Sequence, residues 1–249
     1  MHQKYYFAVF EITKGKLMIK KWEDLPEFMR IPEVRPYWEN LNKKRWRLAL
    51  KRVFDFTAGT VLLVLLSPSM AVIAFLIKKD SKGPVFYRQE RVTSYGKHFR
   101  IHKFRTMVSD AESIGTTVTV DNDRRITKIG LKLRGLRLDE LPQVIDIIKG
   151  DMSFVGTRPE AVKYVEKYLP EYNATLLLPA GITSEASIRY KDEAVLLDAA
   201  DDVDRVYMKN ILPEKMKYNL QSIKNFSVLS EIGTMFRTIS AVLGKEYEQ

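Results

Sequence analysis

The 249-residue chain contains no cysteine, which excludes disulfides, thiolate nucleophiles and thiolate zinc sites. Its three histidines, His2, His98 and His102, do not form the HExxH pair of a metalloprotease. The GxSxG elbow of serine hydrolases, the GxxxxGK[ST] phosphate loop and the GxGxxG dinucleotide fingerprint are also missing. The start of the chain lacks a basic segment followed by a long apolar stretch. We therefore expect no cleaved signal peptide and a chain that stays largely cytoplasmic.

The chain carries an excess of positive charge, with 41 basic and 31 acidic residues and a net charge of +10. Such an excess favours an anionic partner, which could be phospholipid head groups, a phosphorylated substrate or nucleic acid. Composition alone does not choose among these three. A hydrophobic content of 45% is sufficient for a sizeable core, so the chain is predicted to be globular rather than disordered.

Residues 56–77, FTAGTVLLVLLSPSMAVIAFLI, form an uncharged and mostly apolar run. About 20 residues cross a hydrocarbon core roughly 30 Å thick, so the run has the length of a membrane span. Pro68 lacks an amide hydrogen and is predicted to kink or break the helix near its middle. Each half would then reach less than about 20 Å at 1.5 Å per residue. Ser67 is the residue whose hydroxyl could bond a backbone group that the proline leaves open.

Both flanks of the apolar run are basic, with Lys51 and Arg52 among the cations before it and Lys78, Lys79 and Lys82 after it. Positive charge marks the cytoplasmic side of a membrane segment, and here both ends carry it. The economical interpretation is a re-entrant helix-break-helix that enters and leaves by one face. The alternatives are an ordinary spanning helix with a tolerated proline and a buried core helix.

The remainder of the chain mixes strand and helix patterns. Residues 4–22 favour a hairpin around Lys14-Gly15, and prolines then indicate a linker up to about residue 42. Residues 84–107 are β-like, and residues 127–150 have mostly helical apolar spacing that ends at Gly150. Residues 222–244 predict an amphipathic helix that either lies on a membrane surface or, as is commoner, packs on the core.

Asp139 and Glu140 form the densest candidate for chemistry. A carboxylate can attack phosphorus and form an acyl phosphate, which divides one transfer into two steps. Its neighbour can help to hold a hard cation such as Mg²⁺, which prefers oxygen ligands. On the pair alone we would favour a structural role, because Asp139 could cap the helix that Pro142 helps to start and Glu140 could lie in its first turn.

Cationic side chains around the acidic pair favour a phosphate site. The planar guanidinium groups of Arg134 and Arg158 can bind phosphate oxygens bidentately, although most such arginines are solvated surface charges. The segment GTRPE, residues 156–160, predicts a rigid turn that aims Arg158. Lys103 and Arg105 form a second cationic pair, which could equally face lipid head groups.

An ordered set of motifs resembles the monotopic polyprenol-phosphate phosphoglycosyl transferases, the bacterial sugar transferase family. The resemblance covers about residues 49–243. It is carried by KRVFDF, the Ser67-Pro68 break, GPVFYRQERV, FRIHKFRTM, ITKIGLKLRGLRLDELPQ and IKGDMSFVGTRPE, in that order along the chain. The chain departs from the usual family pattern at Thr157, where proline is common, at Asp146, where asparagine is common, and in residues 179–190.

The resemblance implies a membrane enzyme that transfers a phosphosugar from a nucleoside diphosphate sugar, such as a UDP-sugar, to polyprenol phosphate. It implies that Asp139 is the nucleophile, with Glu140 as its partner in holding Mg²⁺. Arg134 and Arg158 match the phosphate-binding arginines of the family, and Asp204 and Tyr207 match a segment near the site. We place Lys103 and Arg105 with the substrate-binding residues.

The fold class that we expect is α+β and helix-dominated, as a monotopic membrane-associated domain with a re-entrant helix-break-helix and interfacial amphipathic helices. It divides into an N-terminal extension (1–48), the re-entrant helix (49–82) and a catalytic domain (83–249) on the cytoplasmic face of the bacterial inner membrane. The expected partners are the sugar nucleotide, polyprenol phosphate and membrane lipids, without nucleic acid, and a homodimer is left open. The rival hypotheses are a non-enzymatic membrane scaffold and a basic nucleic-acid-binding protein that uses residues 83–105.

Overall fold

A computed structural model describes residues 19–108, 124–191, 193 and 202–242 of the chain. The predicted N-terminal hairpin falls almost entirely outside these residues. The helices within the described part are α1 (Arg35–Asn42), α2 (Arg45–Asp80), α3 (Lys128–Gly135), α4 (Val144–Lys149), α5 (Val162–Val165), α6 (Glu185–Arg189), α7 (Val203–Val206), α8 (Leu212–Lys224) and α9 (Val228–Val242). Short 3-10 helices lie between them, and the fold is helix-dominated α+β, as predicted.

Two small sheets complete the architecture. Strands β1 (Phe86–Val92) and β2 (His98–Phe104) form an antiparallel hairpin in which Tyr87 lies opposite Lys103. Strands β3 (Met152–Val155) and β4 (Ala180–Thr183) pair in parallel. The predicted β-like stretch from residue 84 is therefore confirmed as the first hairpin, and its second strand ends just beyond Lys103.

The N-terminal segment from residue 19 packs into the main core. Met29, Val34 and Leu41 are fully buried, and their cluster includes Ile223 in the last turn of α8 and Phe226 just after that helix. The proline-rich stretch that predicted a linker thus contains packed 3-10 turns and α1, with Pro36 in the first turn of that helix. Proline suits this place because the first amides of a helix have no intrahelical partner.

The long apolar helix α2 runs without interruption from Arg45 to Asp80, with Pro68 inside it. The predicted break is therefore not a gap in the helix. Pro68 has no amide to bond the carbonyl of Val64, and the hydroxyl of Ser67 donates to that carbonyl instead, at 2.8 Å. This hydrogen bond is the one proposed for Ser67 from the sequence, and it lets the helix continue past the proline.

Only one face of α2 is covered by the protein. Its most apolar 18-residue stretch is 17% buried, which argues against the core helix of a soluble protein. In the first half, Gly59 and residues before it contact α4, and in the second half Met70, Ile73 and Ile77 pack with Phe104. The outer face, including Val64, Leu65 and Phe75, is exposed. By length and composition α2 can cross a membrane, and its two ends contact the same body of protein.

The C-terminal amphipathic segment forms two helices rather than one. Helix α8 ends at Lys224, and its apolar residues Leu220 and Ile223 are buried. In α9 the apolar side chains face outward: Leu229 is 81% exposed, Phe236 67% and Ile239 56%. The apolar face of α9 is therefore not packed on the core, which was the commoner of the two outcomes expected from its sequence.

The contacts at both ends of α2 generate a test of its topology. The chain has no native cysteine, so Lys43→Cys and Lys79→Cys each introduce a single thiol at an exposed position on either side of the apolar run. For a re-entrant helix we expect a membrane-impermeant maleimide to label both variants only in inverted vesicles. Labelling of the two positions from opposite sides would establish a spanning helix.

Candidate active site

The Asp139-Glu140 pair lies on a 3-10 helix, Leu138–Gln143. The basic segment that predicted one helix is divided into α3, this 3-10 helix and α4, because Arg137 takes a left-handed backbone conformation with φ of 55°. Arg137 is also the N-cap residue, and no side chain caps the helix. Asp139 therefore does not serve as the helix cap that the structural alternative required. Gly150 ends α4 in a left-handed conformation, as predicted.

Glu140 holds two cations that come from different elements. Its Oε1 accepts from Lys103 Nζ at 2.9 Å and from Arg158 Nη2 at 2.5 Å, and its Oε2 accepts from Arg158 Nη1 at 3.3 Å. The Glu140 side chain is 13% exposed, so water screens this charge cluster only weakly. The cluster therefore joins β2, the 3-10 helix and the turn after β3 at one point.

The pKa values of the two carboxylates of the dyad are shifted in opposite directions. Burial alone would raise the pKa of Glu140, but Arg158 and Lys103 together outweigh it and hold that pKa well below its usual range. Burial, and then the charge of Glu140, raise the pKa of Asp139, while Lys103 and Arg134 only partly oppose them. Among the described residues, no side chain forms an ion pair or a hydrogen bond with the Asp139 carboxylate. Asp139 is consequently the more basic of the two groups.

Arg158 is aimed by a tight turn between the two parallel strands. Gly156 donates to the carbonyl of Thr183, and Gly181 donates to the carbonyl of Thr157. A Cβ on Gly181 would lie 2.1 Å from the backbone nitrogen of Gly156, so only glycine permits this approach. The proline that follows disfavours helical backbone at Arg158. These constraints account for the predicted rigid turn.

Lys103 is positioned by a buried pair next to it in sequence. His102 Nδ1 lies 2.6 Å from Asp146 Oδ1, and the His102 amide donates to Asp146 Oδ2 at 2.8 Å. Both side chains are almost completely buried. The pair ties β2 to α4, the helix that directly follows the dyad. Asp146 is one of the positions at which the chain departs from the usual family pattern.

The other predicted cations have different places. Arg134 lies close enough to Asp139 to lower its pKa, and its Nε donates to Thr106 Oγ1 at 2.8 Å. Arg105 is not brought to the site: it is 4% exposed, and its guanidinium donates to the carbonyls of Ser81 and Lys82 after α2. Alternation along a strand would place Arg105 on the same face as Lys103. Strand β2 ends at Phe104, however, so this alternation does not extend to Arg105.

A cavity of about 190 Å³, called the polar cavity below, opens beside Lys103 and Arg158. Its wall includes Tyr207, whose hydroxyl donates to Glu160 Oε1 at 2.6 Å. Lys215 Nζ donates to the same hydroxyl at 3.2 Å and to Glu193 Oε2 at 2.9 Å. The predicted residue Tyr207 thus lines the same polar cavity as Lys103 and Arg158 of the charge cluster.

Asp204 lies one step outside the polar cavity. It accepts from Lys163 Nζ and from the Tyr164 hydroxyl, both at 2.6 Å. The Tyr164 ring, which lines the cavity, packs against Tyr207 with ring centroids 4.8 Å apart. Asp204 is about half exposed, so its place is to fix Tyr164 rather than to line the cavity.

Several residues at the site were not found by sequence reasoning. Glu160 and Gln143 close the motifs GTRPE and DELPQ, so their position in the sequence was a usable signal. Lys215 and Glu193 gave no such signal, because neither lies in a quoted motif and a buried lysine looks like any surface lysine in a sequence. Gln143 is 1% exposed, and neither atom of its side-chain amide has a hydrogen-bond partner among the described residues.

The carboxylate oxygens of the dyad suit a metal ion that is also bound by a ligand, rather than an ion that is enclosed by protein groups alone. Within the described residues, no group of three or more acidic or histidine side chains could hold a metal ion. Asp139 and Glu140 supply carboxylate oxygens, although Glu140 already carries two cations. Mg²⁺ is usually held by one or two carboxylates together with ligand phosphates and water. The residues present therefore fit Mg²⁺ when a bound phosphate completes the coordination.

Comparison with known proteins places the site within a recognised family. Residues 46–245 match the family described as bacterial sugar transferase. The chain is 36% identical over 197 residues to a UDP-N-acetylgalactosamine-undecaprenyl-phosphate N-acetylgalactosaminephosphotransferase of Aeromonas hydrophila, which covers 78% of the chain and 44% of that protein. It is 35% identical over 195 residues to UDP-glucose:undecaprenyl-phosphate glucose-1-phosphate transferase of Escherichia coli, covering 76% of the chain and 39% of that protein.

A shorter relative matches over nearly its whole length. The exopolysaccharide production protein PSS of Rhizobium leguminosarum is 33% identical over 207 residues, which cover 79% of the chain and 96% of that protein. The chain thus spans less than half the length of the Aeromonas and Escherichia relatives and almost all of the Rhizobium one. The matched residues include the dyad, both cations of the charge cluster and all of α2 except its first residue.

The charge cluster predicts a large effect of removing Glu140. Glu140→Gln would leave Lys103 and Arg158 without their carboxylate in a poorly solvated place, which costs about 3 kcal/mol. We expect the thermal midpoint of the purified protein in detergent to fall by about 6–12 °C. Glu214→Gln is the control, because Glu214 forms an exposed pair with Lys217 and its loss should change stability by less than about 0.5 kcal/mol. Equal midpoints for the two variants would contradict this account of the cluster.

Proposed function

Because the chain belongs to the bacterial sugar transferase family, we propose that it transfers a phosphosugar from a nucleoside diphosphate sugar to polyprenol phosphate. The observation that carries the proposal is the Asp139-Glu140 dyad within the cationic cluster of Lys103 and Arg158. Such a cluster can bind the phosphates of the donor and offset the charge that accumulates during transfer. The names of the relatives support a UDP-sugar as donor and undecaprenyl phosphate as acceptor.

The opposite pKa shifts of Asp139 and Glu140 support different roles for the two carboxylates. Asp139 has the raised pKa and no cation bound to its oxygens among the described residues, so it retains the basicity of a nucleophile. Glu140 is held by Arg158 and Lys103, which lower its pKa and occupy its oxygens. Glu140 therefore positions cations around the phosphates, and Asp139 attacks.

The transfer proceeds in two displacements at one phosphorus. An Asp139 carboxylate oxygen attacks the phosphorus that bears the sugar, the bond from that phosphorus to the bridging oxygen breaks, and nucleoside monophosphate leaves. The phosphosugar is then held as an acyl phosphate on Asp139. A phosphate oxygen of the polyprenol phosphate attacks the same phosphorus and releases the Asp139 carboxylate, which yields a polyprenyl diphosphate sugar.

Cations and membrane position complete the proposal. Asp139 and Glu140 would hold Mg²⁺ together with the donor phosphates, and the ion would offset their negative charge. Arg158, Lys103 and Arg134 supply fixed positive charge on the protein side.

We further propose that α2 is re-entrant and that the site faces the cytoplasm at the inner membrane. A soluble sugar nucleotide and a lipid phosphate could then both reach Asp139.

Substitution of the nucleophile tests the two-step route. With Mg²⁺ and a panel of UDP-sugars, we expect Asp139→Asn to lower UMP release by at least about 10³-fold and to abolish a covalent phosphosugar adduct detected by mass spectrometry. Asp24→Asn, at an exposed position in the N-terminal segment, is the matched control and should retain both. UMP release by Asp139→Asn at the parental rate would refute the nucleophile assignment.

The raised pKa of Asp139 predicts an unusual acid limit for the first step. A raised pKa means that the carboxylate is protonated, and lost as a nucleophile, at a higher pH than an ordinary aspartate. We expect adduct formation, measured by rapid quench without acceptor, to decline on acidification at a pH above 3.8, the ordinary pKa of an aspartate. A rate that stays constant down to the ordinary aspartate pKa would be inconsistent with Asp139 as described.

A further inference from the structure

The polar cavity has a different electrostatic character from the charge cluster beside it. Lys103 and Arg158 of the cluster line one end of the cavity, and the rest of its wall carries two further cations, Arg91 and Lys215, and two carboxylates, Glu160 and Glu193. Lys215 bonds Glu193 directly and lies 3.8 Å from Glu160, so these charges are largely compensated. The dyad, by contrast, lies among Lys103, Arg134 and Arg158, which outnumber its two carboxylates. The cluster therefore suits phosphate, and the part of the cavity beyond Lys103 and Arg158 suits a neutral polar group.

Gln143 gives independent evidence that the cavity receives a ligand. The residue lines the cavity and is 1% exposed, and both the nitrogen and the oxygen of its amide lack a hydrogen-bond partner within the described part of the chain. Buried polar groups are normally paired, because burial without a partner costs free energy. A ligand group that both donates and accepts, such as a hydroxyl, satisfies this amide.

We propose that the polar cavity binds the sugar ring of the donor, and that Gln143, Lys215, Glu160 and Glu193 contact its hydroxyl or amide substituents. This inference rests on the proposed function and names the part of the substrate that each region holds. Carboxylates accept from hydroxyl groups, whereas Lys215 and Gln143 donate to them, so the wall can distinguish the orientation of a single hydroxyl. Lys103 and Arg158 border both regions, which places the sugar phosphate at the junction.

The competing occupant is the nucleobase, which is also neutral. Nucleobases are commonly held by stacking on an aromatic face, as in single-strand binding proteins. In the polar cavity the rings of Tyr164 and Tyr207 pack on each other, and both hydroxyls bond carboxylates. The lining is dominated by charged and amide groups, which favours the sugar.

The test uses the full-length protein in detergent with Mg²⁺ and polyprenol phosphate. Gln143→Met is the principal variant, since it removes two buried polar atoms that bond nothing among the described residues and should leave the thermal midpoint unchanged or higher. Lys215→Met is the second variant, and Lys217→Met, on the exposed side of the same helix, is the control. UMP release is measured with UDP-glucose, UDP-galactose and their N-acetylated counterparts.

We expect Gln143→Met and Lys215→Met to change the ratio of kcat/KM between at least two donors by tenfold or more. Lys217→Met should leave every ratio within twofold of the parent. Inhibition by free UMP should be the same in all variants, because UMP carries no sugar. A loss of UMP inhibition as large as the loss of donor turnover would assign the cavity to the nucleotide and overturn the inference.

The remaining outcomes separate this inference from the function on which it rests. If the parent protein releases UMP but Gln143→Met and Lys215→Met lower all donors equally, the cavity does not hold the sugar, and the proposed function stands. If the parent releases UMP from no donor, the proposed function fails and this inference fails with it. A fall in the midpoint of Gln143→Met by more than about 5 °C would show that the amide is bonded within the protein, which also overturns the inference.

Discussion

The ion cluster around Glu140 is the interaction on which the site depends. Glu140 reaches Lys103 on β2 and Arg158 in the turn after β3, and each of these elements is held by a different part of the fold. The cluster resolves a conflict, because two adjacent carboxylates in a poorly solvated place repel each other. Two cations on Glu140 allow it to stay charged, and burial together with the charge of Glu140 raises the pKa of its neighbour Asp139. Glu140 is thus less basic than an ordinary glutamate, and Asp139 is more basic than an ordinary aspartate.

The long apolar helix α2 is attached to the same elements that carry the site. Lys51 Nζ bonds the carbonyl of Val155 at 3.0 Å, and Arg52 bonds the carbonyls of Ile147 and Ile148 at the end of α4. Asp55 accepts from the amide of Phe154 in β3. These bonds fix α2 to the helix that follows the dyad and to the strand that precedes Arg158. Movement of α2 and displacement of the site are consequently coupled.

Local features of the site could be predicted from the sequence, and distant pairings could not. The dyad and the hydroxyl bond of Ser67 each depend on residues within about five positions of one another, whereas the turn that aims Arg158 shows its proline in the sequence but not its bonds to Gly181 and Thr183. The partnership of Glu140 with Lys103 spans 37 positions, and that of Lys215 with Glu193 spans 22. Arg105 illustrates the same limit: its charge was visible in the sequence, but its use in bonding the chain after α2 was not.

A buried ion pair also connects the two helices whose apolar faces are exposed. Lys51 on α2 bonds Glu231 on α9 at 2.6 Å, with both side chains largely buried. Glu231 lies on the inner side of α9, whereas Leu229 and Phe236 face outward. Breaking a buried pair is costly because one charge is left without a partner, so the pair holds the two helices in one relative orientation. Since Lys51 also bonds β3, the orientation of both apolar faces is set relative to the strand that leads to Arg158. A membrane that receives these faces would therefore hold the dyad at a fixed height, within reach of the soluble donor and the lipid acceptor of the proposed reaction.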